Sequence, residues 1–353
     1  MSNYQLDQSP FLKACRREET PYTPIWLMRQ AGRYMEVYRK IRSKYTMLET
    51  VNQPELAAEI TLQPIEAFNL DAAIIFSDIL PPLVGMGFDL EFVKQVGPII
   101  HNPARSESDI KALKIRPPED TMLGTLEAIK LVTAELAPKN IPLIGFAGAP
   151  FTLASYAIEG GGSKTYINTK TLMFKRPDLW HILMEKLVEV QADYLIAQAN
   201  AGVSVLQVFD SWVGTALNAE EFRTFVKPYN TKLIERISVT GKPVINFCKG
   251  TGLYMQDVAD CGGDVIGIDW HQELDRAWRT LGSNVAVQGN LDPALLLAPW
   301  DVLKTHVDRV LDQANNRPGH IFNLGHGLFP TTEEDQVRRL IDYVHEKTLR
   351  NNP

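Results

Sequence analysis

The chain has 353 residues, of which 45% are hydrophobic, 22% charged and 9% aromatic, and its formal charge is −6. This is the composition of a globular protein with a sizeable core, and the acidic balance argues against a general nucleic-acid or anionic-membrane binder. Any anionic ligand must be held by a local cluster of basic residues.

Cys15, Cys248 and Cys261 are scattered, with no C-x-x-C and no even framework, which suits a reducing compartment. The first residues, Met1 to Asp7, lack a basic stretch followed by an apolar core, so no signal peptide is expected. The longest uncharged stretch, Asn140 to Ile158, is broken by Pro142 and Pro150 and fits strand, turn and helix better than a membrane span. A soluble cytoplasmic protein is expected.

In chain order, the first predicted strand is Pro24-Ile25-Trp26-Leu27-Met28, which stops abruptly at Arg29. Arg33 follows four residues later, past Ala31-Gly32, and Gly32 lets backbone approach a ligand closely. Two guanidiniums on so tight a loop could form a fork-shaped receptor for carboxylate or phosphate, or they could simply be solvated. Glu36 to Lys44 reads as a charged helix, and a second helix starts at Asn52-Gln53-Pro54-Glu55, with proline in its first turn. Asp71 to Phe76 is the second strand, ending at Ser77-Asp78. From Pro81 to Pro118, Gly85, Gly87, Gly97 and Pro98 punctuate short alternating pieces, which predicts a hairpin insertion after strand 2.

Helical pattern resumes from Thr121 to Ala137. A third strand, Pro142 to Gly148, runs through Ala149-Pro150 into a helix that carries Tyr156 and stops at Gly160-Gly161-Gly162. That glycine run opens no P-loop, so it reads as a helix stop and hinge. A long amphipathic helix over 177–201 leads to a fourth strand, Val203 to Phe209, ending at Asp210-Ser211. The remaining strands are predicted at 243–247, 265–269, 285–288 and 320–324. Eight short apolar strands alternating with helices point to a parallel sheet buried on both faces, and eight is the number that closes a (β/α)₈ barrel. Residues 1–353 are therefore expected to form one barrel domain, with 81–118 inserted.

Arg29, Asp78, Asp210, Ser211, Asp269, Gln288 and His326 all fall at or just past the C-terminal ends of these strands. In such a barrel those ends form the face that carries the active site. Each has a plainer reading when taken alone: Asp78 as a turn cap, Tyr156 as a packed aromatic, Ser211 as a helix N-cap. Ser211 has no G-x-S-x-G elbow around it. His326 has glycine on both sides, which leaves its imidazole open to a ligand. By placement Lys249 could form a Schiff base, but Gly250-Thr251-Gly252 reads as a flexible loop.

Six blocks together resemble the uroporphyrinogen decarboxylase family. They are Pro24 to Tyr34, Phe68 to Leu80, Gly145 to Leu153, Phe209-Asp210-Ser211-Trp212, Gly267-Ile268-Asp269-Trp270 and Asn323-Leu324-Gly325-His326-Gly327. The similarity runs from about residue 10 to 345. It implies a homodimeric (β/α)₈ barrel, needing no metal or cofactor, that converts uroporphyrinogen III to coproporphyrinogen III in haem synthesis by turning four acetates into methyls. It also implies site residues. Arg29, Gln30, Ala31, Gly32 and Arg33 would form a substrate-gripping loop, and Asp78 would face the pyrrole N–H groups. Tyr156, Ser211 and His326 would contact substrate carboxylates, with Phe146 and Arg42 as further cleft members. Asp78, Arg29 and Tyr156 would be the catalytic set. Where the family often has proline after Arg-Tyr-Met, this chain has Glu36, which leaves the start of that helix open.

Two rival classes follow from the same residues. One is a zinc-dependent corrinoid or coenzyme-M methyltransferase of the same fold, which would hold zinc through a His-x-Cys pair and a later Cys. Here the comparable strand end reads Asn246-Phe247-Cys248. The other is a non-catalytic tetrapyrrole-binding protein, which would keep the arginines but have no use for Asp78.

Overall fold

The computed structural model describes residues 6–94 and 96–350. Seven parallel strands curl into one sheet: β1 (Ala73–Ile74), β4 (Leu143–Gly148), β5 (Val205–Asp210), β6 (Val244–Cys248), β7 (Val265–Gly267), β8 (Ala286–Gln288) and β9 (His320–Ile321). Neighbours in space follow chain order, with registers such as Phe146 opposite Gln207 and Phe209 opposite Phe247. The hairpin expected in the insertion is present as β2 (Leu90–Val93) and β3 (Gly97–Ile100), paired antiparallel and bridged to Gly161 through Ile99.

The eighth stave departs from expectation. Pro24 to Met28 makes a single parallel bridge, Ile25 to Phe322, instead of a ladder. The cause is local. Asp71 Oδ2 accepts from the Ile25 amide at 2.7 Å, Gln30 Oε1 from Leu27 at 3.2 Å, and Asn323 Oδ1 from Met28 at 3.0 Å. Side chains have taken the amides that a neighbouring strand would otherwise pair. The ring still closes, because Phe322 N–H reaches Pro24 C=O at 2.8 Å and Asp71 N–H reaches Ile25 C=O at 3.0 Å. The barrel is thus seven strands and one irregular stave. The predicted strand over 320–324 is likewise shortened, since beyond Ile321 only single bridges from Phe322 and Leu324 remain.

Helices wrap the outside. Proline starts the helices Pro54–Ala67, Pro150–Glu159 and Pro177–Ala201, where its missing N–H costs nothing. The last two end at Gly160 and Gly202, whose φ of 86° and 126° are left-handed values that favour glycine. The helix after Arg33 begins at Glu36, without a capping side chain from Met35. Its first amide is taken at 3.1 Å by Glu334, from the C-terminal helix Glu334–Thr348.

Two apolar clusters hold the layers. The larger lies between sheet and helices. The smaller fills the barrel with Trp26, Ile144, Val205, Ile245, Val265, Ala286 and Ile321, and is plugged by Phe11 and Leu12 of the helix Pro10–Cys15. Each fully buried chain of this size contributes about 1.5–3 kcal/mol. Among the described residues, no helix is long and apolar enough to cross a membrane.

Candidate active site

The stave that fails to ladder leads directly into the site. Gln30 is buried. Its carbonyl oxygen accepts from Leu27, its amide donates to Ala72 C=O at 3.1 Å, and its backbone oxygen accepts from Tyr34 Oη at 2.7 Å. Gln30 therefore serves as a post that shapes the loop, and its side chain is not free for a ligand. Arg29, just before it, has φ 64°, a left-handed value for a non-glycine residue. Such residues cost of order 1–3 kcal/mol and concentrate at functional sites. The stem of Arg29 lies along Gly327, where a Cβ would come within 2.3 Å of Arg29 Cδ. A Cβ on Gly32 would meet Arg29 C=O at 2.8 Å. Glycine at both positions lets the arginine fold back over the mouth of the barrel.

Three groups lie within reach of that guanidinium's charge. Asp78, past the end of β1, is half-buried, and its Oδ1 accepts from the Leu80 amide at 3.0 Å. The plainer turn-cap reading is therefore correct as far as it goes. Burial raises the Asp78 pKa above the usual carboxylate range, against the Leu80 N–H, the Arg29 charge and the Ile79 N–H, which all lower it. Tyr156, on the helix 150–159, stacks on Trp212 with ring centroids 3.9 Å apart, and Trp212 meets Tyr166 edge-on. Burial, then the Asp78 charge, push the Tyr156 hydroxyl far up, so it remains a hydrogen-bond donor. His326, past β9, is pushed down to about 4 by burial, then Arg29 and Lys249, and is neutral at physiological pH.

The floor is aromatic. Phe146 of β4, nearly buried, meets Phe209 edge-on at 5.6 Å, and Phe209 meets Phe247 at 6.0 Å. Ser211 follows β5 on this rim and is half-buried. The short helix behind it starts from Trp212, so Ser211 is not its N-cap. Asp78, Tyr156 and His326 thus each feel the Arg29 charge, and Asp78 also acts on Tyr156, with Phe146 inside β4 and Ser211 just past the end of β5.

Arg33 and Arg42 stand apart from this group. Arg33 is exposed, and its carbonyl accepts from Arg39 at 2.8 Å. Arg42 donates to Tyr45 C=O and, at 3.2 Å, to Thr50 Oγ1, which ties it to the following turn. Ala31 and Gly32 are half-buried backbone of the same loop. Among the described residues, no group of three or more His, Cys, Asp or Glu side chains is arranged to hold a metal ion. Cys248 is buried, and its thiol faces Asn246 Oδ1 at 3.6 Å.

The family model described as Uroporphyrinogen decarboxylase (URO-D) matches residues 6–347. The chain belongs to the uroporphyrinogen decarboxylase family. It is 53% identical over 336 residues to a uroporphyrinogen decarboxylase of Carboxydothermus hydrogenoformans, covering 95% of each chain. It is 50% identical over 335 residues to one from Thermus thermophilus, covering 95% of this chain and 97% of that one. Among solved structures, a methyltransferase from Methanosarcina mazei superposes with a TM-score of 0.80 at 18% identity, over 96% of this chain and 97% of that one. At that identity the likeness speaks for the barrel alone.

Against the blocks that pointed to the uroporphyrinogen decarboxylase family, the geometry adds residues that sequence reasoning left unassigned. Trp212, the stacking partner of Tyr156, directly follows Asp210-Ser211 and was legible as an aromatic at a strand tip. Asp210 is fully buried and accepts from Thr152 Oγ1 at 2.7 Å, while Thr152 Oγ1 also accepts from the Trp212 amide at 3.3 Å. Burial lifts Asp210 to about 6 despite these hydrogen bonds. On the far rim, Lys249 lies over the Trp270 ring at 5.3 Å, and Trp270 meets His326 edge-on at 6.2 Å.

Proposed function

We propose that this chain is a uroporphyrinogen decarboxylase, a carboxy-lyase that removes CO₂ from the four acetate side chains of uroporphyrinogen III to give coproporphyrinogen III for haem synthesis. The observation that carries the reading is a half-buried carboxylate, Asp78, set beside the Arg29 guanidinium and the Tyr156 hydroxyl at one barrel mouth. It occurs in a chain half identical, along nearly its whole length, to proteins named for that reaction.

Direct loss of CO₂ from an acetate would leave its electron pair on carbon. If a ring carbon is protonated first, the pyrrole becomes an iminium-like cation. The bond between methylene and carboxylate then breaks, and its electron pair flows into the ring. A second proton on the methylene carbon makes the methyl, and loss of the first restores the pyrrole, so the net change is one proton taken up per CO₂ released. A fixed carboxylate beside the pyrrole N–H groups stabilises the cation where it develops. Each charge-assisted hydrogen bond to it is worth about 1.5–3 kcal/mol, whereas enzymes typically lower barriers by about 8–23 kcal/mol. Orientation of the ring must supply much of the difference.

In this reading Asp78 holds the ring nitrogens, and its raised pKa fits a carboxylate waiting for a cationic partner. Arg29 grips a carboxylate, including the one that departs. Arginine hardly deprotonates, so it is not the acid. Tyr156, Ser211 and neutral His326 donate hydrogen bonds to other carboxylates, and Phe146 packs on the ring. Arg33, Arg42 and the backbone of Gln30, Ala31 and Gly32 complete the grip once substrate arrives. We also take the chain to be a cytoplasmic homodimer, with residues 1–353 as one barrel domain and 81–118 inserted. The reaction as written calls on no metal or cofactor.

The test is anaerobic incubation with uroporphyrinogen III. Release of CO₂ with successive seven-, six-, five- and four-carboxylate products is expected. Tight binding without CO₂ would instead select the non-catalytic tetrapyrrole-binding reading.

A further inference from the structure

Lys249 is a cation with no task in the scheme above. It follows β6, four staves round the ring from Arg29, since the order runs from Pro24–Met28 through β1, β4 and β5 to β6. Its backbone is clamped. Lys249 N–H donates to Asp210 C=O at 2.9 Å, and its C=O accepts from Gly214 at 3.1 Å. The next amide, Gly250, donates to Asp269 Oδ2, and a Cβ on Gly214 would lie 2.2 Å from Gly250 C. The glycine-rich segment is therefore a fixed mount, not the flexible loop its composition suggests.

The ammonium group itself is not tied. Among the described residues it forms no ion pair or side-chain hydrogen bond, and it lies over the face of Trp270. Asp269, the acid that bears on the neighbouring His326, uses both oxygens elsewhere. Oδ2 accepts from Gly250, and Oδ1 accepts from the amide and, at 2.9 Å, from Nδ1 of His271. A half-buried lysine without a counter-ion, rigidly mounted at its base and facing the same histidine as Arg29, is arranged to meet an anion brought by a ligand.

We propose that Lys249 is a substrate-binding residue, whose ammonium takes a peripheral carboxylate of the macrocycle across the mouth from Arg29. The proposal rests on the decarboxylase reading for the identity of the ligand. Eight carboxylates radiate from all sides of uroporphyrinogen, so a grip confined to the Arg29 edge would leave the far edge unmatched. Trp270 would keep the lysine stem extended and cover the carboxylate from water.

Two variants and two readouts decide it. Lys249→Met keeps the stem over Trp270 and removes the charge, while Lys249→Arg keeps the charge. With uroporphyrinogen III, the Met variant should raise KM about tenfold with kcat within about twofold of the parent, and the Arg variant should recover most of the loss. Titration with oxidised uroporphyrin, followed by tryptophan quenching, should show the same weakening without requiring turnover. A Met variant within about twofold of the parent in both readouts overturns the proposal. So does a loss of kcat and melting temperature that arginine fails to rescue, which would mark a packing role. If the parent binds the porphyrin but releases no CO₂, the decarboxylase reading fails while the titration still decides Lys249. If the parent neither binds the porphyrin nor releases CO₂ from uroporphyrinogen, both fail.

Discussion

Two carboxylates stand at strand tips on the same rim, and burial raises both pKa values, yet they are built for opposite ends. Asp210, past all access to water, takes the Thr152 hydroxyl on Oδ1, its Oδ2 has no hydrogen-bond partner among the described residues, and no cation acts to lower its pKa. Asp78 is half-open, takes one backbone hydrogen bond and lies next to Arg29. The first holds the structure behind Tyr156 together. The second keeps part of its capacity free for a ligand. A raised pKa alone therefore does not mark a catalytic acid. What separates the two is whether a ligand can reach the carboxylate and whether a cation acts on it.

The largest expected effect follows from Asp78→Asn. Asparagine keeps the shape and the acceptor for Leu80 but removes the charge that would face the pyrrole nitrogens. Turnover of uroporphyrinogen should fall about 10²–10³-fold, the scale seen when one preorganised electrostatic contact is removed from an active site. Stability should hold or rise slightly, because a charge that burial disfavours is gone. An Asn variant with normal turnover and a lowered melting temperature would reverse the comparison and make Asp78 the structural residue of the two.

Asp210 is tested by pH. Folded, it keeps its proton up to about 6; unfolded, it releases it near 3.9. The folded state binds that proton more tightly, so the stability it contributes is present below about pH 4 and is lost as pH rises to about 6. Asp210→Asn should remove this loss. The gain of variant over parent in urea unfolding should therefore grow, by of order 2–3 kcal/mol, between pH 4 and pH 7. His326 works in the opposite sense. Depressed to about 4, it contributes stability above its ordinary pKa that is lost as pH falls. Both proteins carry His326, so its contribution cancels in the difference. A difference independent of pH would show that Asp210 is ionised as readily as a surface acid.

Arg29→Lys sharpens the ligand side. Lysine keeps the charge beside Asp78 and loses the planar fork, so about one charge-assisted hydrogen bond of 1.5–3 kcal/mol should go. A fall of about tenfold to a hundredfold in kcat/KM is expected. Near-normal turnover would mean that charge alone suffices there.

How far these two regions could be read beforehand differs for physical reasons. The strands 142–148 and 203–209 and the helix 177–201 were legible because burial on both faces and a proline-to-glycine span leave local marks. The convergence of Arg29, Asp78 and His326 was legible from topology, because parallel strands put all their ends on one face. What could not be read was which groups were already engaged. That the Gln30 side chain is engaged within the loop could not be read, because its partners, Leu27 and Ala72, depend on the stave not laddering. Gly250-Thr251-Gly252 looked mobile, because the clamp on it comes from Gly214 and Asp269, distant in sequence. The link from Asp210 through Thr152 to Trp212 was invisible for the same reason.

That link supports the smallest effect, and it joins the two regions. Thr152 Oγ1 donates to Asp210 and accepts from the Trp212 amide, and Trp212 carries the ring on which Tyr156 stacks. Thr152→Val keeps the shape and removes the hydroxyl, leaving a buried carboxylate oxygen and an amide each short of a partner. Stability should drop by about 1–3 kcal/mol. If the hydroxyl also orients Trp212, the Tyr156 ring loses its fixed support and KM should rise about two- to threefold while kcat holds, with Thr152→Ser restoring both. A variant that loses stability and leaves KM untouched would confine Asp210 and Thr152 to the scaffold. The boundary between scaffold and site would then lie between Trp212 and Tyr156 rather than behind Thr152.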